Sequence, residues 1–96
     1  MKYDLPDRVL KNITAFALKN SVNKVILFGS RAKGSNTDRS DVDIAVYGGD
    51  FDSFYWDIKE KTHSLLSFDV VNVDQGISNE LKEELERYGI VIYEKA

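Results

Sequence analysis

A chain of 96 residues has material for one hydrophobic core, so it reads as a single domain over residues 1–96. Zero cysteines exclude a disulfide framework and point to a reducing, cytoplasmic setting, while 13 Lys and Arg against 16 Asp and Glu exclude a general attraction for nucleic acid. Unbroken apolar runs such as Val25 to Phe28 fall far short of the ~18 residues that cross a bilayer, and Asp4, Asp7, Arg8 and Lys11 interrupt any signal-peptide core.

Pro6 suits the first turn of a helix, where its missing N–H would go unpaired anyway. Leu5, Val9, Leu10, Ile13, Phe16 and Ala17 follow at three-and-four spacing, which predicts an amphipathic helix over about 6–19. Residues 22–29 (VNKVILFG) are rich in β-branched and aliphatic side chains on both alternating faces, the pattern of a strand covered on both sides. Residues 30–40 are polar, with room for one helical turn. Residues 41–47 (DVDIAVY) predict a second strand with Asp41, Asp43 and Ala45 on one face and Val42, Ile44 and Val46 on the other.

Gly48 and Gly49 break that strand, and a helix from about 53 to 66 places Phe51, Tyr55, Ile58, Thr62, Leu65 and Leu66 on one side. Residues 68–73 (FDVVNV) predict a third strand. Ser78 or Asn79 caps a last helix carrying Leu81, Leu85 and Tyr88, which Gly89 stops before a fourth strand over 90–93. Alternating helices and strands predict an α/β (α+β) layer with helices packed on a mixed four-stranded sheet. The link from Gly29 to Asp41 is too short for a parallel crossover, so the first two strands are expected to be antiparallel.

The chemistry concentrates in residues 29–43, whose skeleton is Gly-Ser, ten residues, then Asp-x-Asp. Gly29 lets backbone approach a ligand closely, and Ser30 adds a hydroxyl at the start of a helical turn whose exposed N–H groups suit a phosphate oxygen. Asp41 and Asp43 aim two carboxylates to one side at a strand's start. At 5 Å and an effective dielectric of 20 such charges repel by about 3 kcal/mol. A hard divalent cation, Mg²⁺ by default, relieves that repulsion and bridges to a nucleotide's phosphates. Asp69, an acid early in an otherwise apolar strand, is the candidate third ligand of a two-metal site; Asp74 lies beyond the strand as a loop residue.

Each half of this pattern is common alone. Asp50-Phe51-Asp52 is a second Asp-x-Asp that reads as a helix cap. The two halves at this fixed spacing, however, arise by chance in roughly one chain in a thousand of this length.

With an opening helix, LFGSRAKG, SDVDIAV, FDVV and a last helix leading into GIVIYE, the chain resembles the nucleotidyltransferases of the DNA polymerase beta superfamily, most closely their minimal MNT-type branch. The resemblance spans nearly the whole sequence. It implies transfer of AMP from ATP to a hydroxyl with release of pyrophosphate. Carried over by position, it implies that Gly29 and Ser30 bind the β and γ phosphates, Asp41 and Asp43 two Mg²⁺ ions, and Asp69 one metal and the nucleophile. Arg31 is an expected triphosphate contact, and Lys33 a solvated turn residue.

Minimal proteins of this kind pair with a HEPN-domain toxin, so the resemblance further implies an antitoxin that modifies a partner tyrosine within a hetero-oligomer. Two other functions compete: a catalytically idle module that neutralises a toxin by occlusion, and a transferase for a small-molecule acceptor. On the predicted third helical segment, Trp56 and His63 fall away from the core stripe as exposed neighbours. Trp56 is either an interface anchor or packed under a loop, and His63 lacks companions for a metal site.

Overall fold

The computed structural model describes residues 4–62 and 64–96. Helix α1 (Asp7–Lys19) starts after Pro6, with Asp7 and Lys19 complementing the helix dipole at its two ends. It buries Val9, Ile13 and Ala17, spaced by four, against the sheet. Strand β1 (Lys24–Phe28) leads through Gly29 into the four-residue helix α2 (Ser30–Lys33), and strand β2 (Val42–Tyr47) follows a polar loop. Helix α3 (Phe51–Lys61) is capped by Asp50, whose carboxylate accepts from the Ser53 N–H. Strand β3 (Phe68–Asn72) passes through a 3-10 turn (Val73–Gln75) to helix α4 (Asn79–Tyr88) and strand β4 (Ile90–Glu94).

The sheet order is β3-β2-β1-β4. β1 runs antiparallel to both β2 and β4, whereas β2 and β3 are parallel because α3 carries the chain back to the end where β2 began. The expected mixed sheet is therefore observed. Val25, Leu27, Val42, Ile44 and Val46 pack one face against α1 and against Phe54 and Ile58 of α3, while α4 covers Ile26, Phe28 and Ala45 on the other with Leu85. No helix among the described residues is long and apolar enough to cross a membrane.

Two expectations change in the third helical segment. α3 ends at Lys61, because Thr62 takes an extended conformation, so Leu65 and Leu66 lie on a loop and Leu65 is fully exposed instead of in the core. The buried stripe is centred on Phe54 and Ile58. Trp56 faces outward as expected, 57 % exposed, and the expectation for His63 lies outside the described residues.

A candidate nucleotide-transfer site at one end of the sheet

Strand directions bring the sequence motif together. β1 ends where its antiparallel partner β2 begins, pairing Phe28 with Asp43 and putting Gly29 beside that carboxylate. β3 starts at the same end because it is parallel to β2, and its register sets Asp69 opposite Asp43. A hydrogen bond of 2.9 Å from the Val42 N–H to the Ser67 carbonyl closes this end. Residues 13 positions apart (Ser30 and Asp43) and 26 apart (Asp43 and Asp69) thus share one end of the sheet by topology alone.

Gly29 is confined on two sides. It adopts φ 75° and ψ −159°, a region open essentially only to glycine. A Cβ there would also overlap Asp43 Oδ2, so the turn approaches the carboxylate as no other residue allows. Ser30 opens α2, whose first N–H groups have no partner inside the helix.

Asp43 is half-buried, Asp41 and Asp69 exposed. Burial, followed by repulsion from Asp69, Asp41 and Glu84, raises the Asp43 carboxyl to about 6. The desolvation cost expected for Asp69 does not arise, because β3 is an edge strand and leaves that side chain in water. Lys59 of α3 donates to the Phe68 carbonyl, one residue before Asp69.

Among the described residues, no three acidic, His or Cys side chains already converge as a metal cage. The donor set nevertheless suits a hard divalent cation in its chemistry: carboxylate oxygens from Asp41, Asp43 and Asp69, with burial and then the neighbouring carboxylates raising Asp43.

Arg31 departs from the expectation of a triphosphate contact. Its side chain is 2 % exposed, and its guanidinium donates to the carbonyls of Asp4 (2.8 Å), Ser40 (3.1 Å) and Asp38 (3.2 Å). It thereby ties α2 to the loop leading into Asp41. Lys33 is exposed as expected, yet its Nζ stands 3.8 Å from Glu84 Oε2. Glu84 itself was not foreseeable from local pattern: its Oε2 accepts from the Gly29 N–H at 3.0 Å across 55 positions of sequence.

Comparison with known proteins places this fold among solved structures. Those that share it include three toxin-antitoxin structures. A toxin-antitoxin with AMP-PNP superposes with a TM-score of 0.70 at 24% identity, over 90% of this chain and 73% of that one. Two variants of the toxin-antitoxin MntA-HpeT give 0.69 at 22% identity, over 90% and 73% of the two chains, and 0.68 at 24% identity, over 96% and 75%. No curated protein sequence matches. The sequence pattern described as "Polymerase beta, Nucleotidyltransferase" matches residues 11–96, which include Gly29, Ser30, Asp41, Asp43 and Asp69, and the chain accordingly belongs to that family.

Proposed function

We propose that this chain is an adenylyltransferase that moves AMP from ATP onto a hydroxyl of a partner toxin, and so acts as an antitoxin. The observation that carries the reading is the juxtaposition of Asp43 and Asp69, in register, with the glycine-serine turn packed against Asp43. In the reaction the acceptor hydroxyl gives its proton to the Asp69 carboxylate, its oxygen bonds to the α-phosphorus, the bond to the bridging oxygen breaks, and pyrophosphate leaves with that electron pair. Asp41, Asp43 and Asp69 would hold Mg²⁺, which when bound offsets phosphate charge and eases deprotonation of the acceptor hydroxyl. Ser30 supplies N–H and hydroxyl donors for the far phosphates, and Gly29, whose own N–H is held by Glu84, lets the backbone come close, fixing the triphosphate so that the α-phosphorus faces the acids.

The acceptor proposed is a tyrosine on a HEPN-type toxin. Support comes from the shared fold with toxin-antitoxin structures, one of them containing AMP-PNP, and from the exposed Trp56, an indole of the kind that anchors protein interfaces.

The test incubates the full chain, Mg²⁺ and ATP labelled in its adenosine with the protein encoded beside it. Label is expected on a tyrosine of that partner, and Asp43→Asn is expected to abolish it. Tight inhibition of the partner without label transfer, retained in Asp43→Asn, would replace this reading with neutralisation by occlusion. Transfer to small hydroxyl compounds alone would replace it with a small-molecule transferase.

A further inference from the structure

Helix α4 reaches the glycine-serine turn through a single carboxylate. Leu85 seats α4 on the sheet among Ile26, Phe28 and Ala45. Gly89 then ends the helix so close to Ile26 that a Cβ would lie 2.6 Å from its Cγ2. These two contacts fix the rotation of α4 about its axis, and Glu84, beside Leu85, is turned toward the end of β1. There it accepts from the Gly29 N–H at 3.0 Å and stands 3.8 Å from Lys33 Nζ. The same ammonium lies 5.0 Å from the ring centre of Tyr88, four residues further along α4. Glu84 and Tyr88 therefore grip α2 at both ends, at the residue before its first and at its last.

We propose that Glu84 is a positioning residue for nucleotide binding: it holds the Gly29 backbone at the angle from which Ser30 presents its donors, and it keeps Lys33 beside the turn. The inference rests on the nucleotidyltransferase reading above. Glycine surveys conformational space freely, so nothing intrinsic to Gly29 maintains φ 75° and ψ −159°. A bond from a carboxylate to an N–H is among the stronger hydrogen bonds available to restrain it. A negative charge beside a polyphosphate is unfavourable by itself, and the Lys33 ammonium offsets it. The hydrogen bond, not the charge, is then the useful part of Glu84. Gln keeps an acceptor oxygen at that position, whereas Ala does not.

Calorimetric titration of the full chain with Mg²⁺ and a non-hydrolysable ATP analogue tests this, with melting temperatures recorded in parallel. Glu84→Ala is expected to weaken binding about five- to tenfold, the net contribution of one ordinary hydrogen bond, and Glu84→Gln to stay within about twofold of the wild type. In turnover the Glu84→Ala loss falls on KM for the nucleotide, with kcat nearly unchanged. Wild-type affinity in Glu84→Ala overturns the proposal, and so does Glu84→Gln binding as poorly as Glu84→Ala.

Should Glu84→Ala not fold, hydrogen exchange of the Gly29 amide in the wild type decides: a protected amide supports the anchor and an unprotected one overturns it. A wild-type chain that ignores the analogue fails the nucleotidyltransferase reading itself, taking this inference with it, and that outcome is read from the wild-type arm alone.

Discussion

Asp43 and Asp69 stand opposite each other in register on the parallel strands β2 and β3, and their repulsion adds to the effect of burial on the Asp43 carboxyl. Partial burial first, then Asp69, Asp41 and Glu84, lift the Asp43 carboxyl from 3.8 to about 6. A carboxyl raised in this way binds protons more tightly in the folded chain than in the unfolded one. Stability contributed by its protonated form is therefore present below the ordinary carboxylate value and is lost as pH rises through about 6. Melting curves in a chelator are expected to show this loss between about pH 4 and pH 6, the interval of the shift, and Asp43→Asn to flatten it. An unchanged slope in Asp43→Asn places the titrating group elsewhere.

Divalent cation should reverse the same repulsion. At about tenfold excess over its Kd, Mg²⁺ bound only to the folded chain adds about 1.4 kcal/mol, several degrees of melting temperature for a domain of this size. The gain is expected to be larger at pH 8 than at pH 5, because a protonated Asp43 is a poor ligand. Asp69→Asn is expected to reduce it. Thermal scans with and without Mg²⁺ at the two pH values measure both effects.

Gly29 and Gly34 offer an internal comparison, since both have positive φ, 75° and 81°, yet only Gly29 is crowded. Gly34→Ala meets no atom within 4 Å and is expected to cost only the left-handed backbone penalty, about 1–2 kcal/mol, with nucleotide affinity retained. Gly29→Ala pays strain of about 1–3 kcal/mol and in addition drives its methyl into the Asp43 carboxylate. Nucleotide affinity is therefore expected to collapse in Gly29→Ala alone. Calorimetry of the two variants beside their thermal melts separates the backbone penalty from the loss at the site.

The fold and half of the site were legible because they rest on local rules. The short link between Gly29 and Asp41 forces antiparallel strands, and that direction alone puts the turn beside Asp43. Asp69 was legible as an acid in a strand, but the reason first attached to it, costly burial, fails because β3 is an edge. Leu65 fits the helical spacing from Ile58, seven residues earlier, and was misplaced because periodicity does not record where a helix stops; Thr62 turns extended without a glycine or proline to mark it. Glu84 was illegible in principle. Its contact with Gly29 depends on how Leu85 and Gly89 seat α4, a tertiary relationship with no signature in spacing.

Arg31 gives the sharpest separation between a ligand-binding and an architectural role. Its motif position suits a phosphate contact, yet its guanidinium spends donors on three carbonyls, those of Asp4, Asp38 and Ser40, from two separate chain segments. A planar fork reaches three directions at once, whereas the compact ammonium of lysine does not. Arg31→Lys therefore leaves carbonyls around a buried site unpaired, and each such loss costs about 1–3 kcal/mol where water cannot enter. The expected result is a clear fall in melting temperature, with the Asp38–Ser40 loop becoming sensitive to protease. Nucleotide affinity of the folded fraction should stay close to wild type, because no phosphate contact has been removed. A side chain that served the triphosphate would show the opposite pattern in Arg31→Lys: an unchanged melt and weakened binding that steepens with salt as the remaining electrostatic attraction is screened.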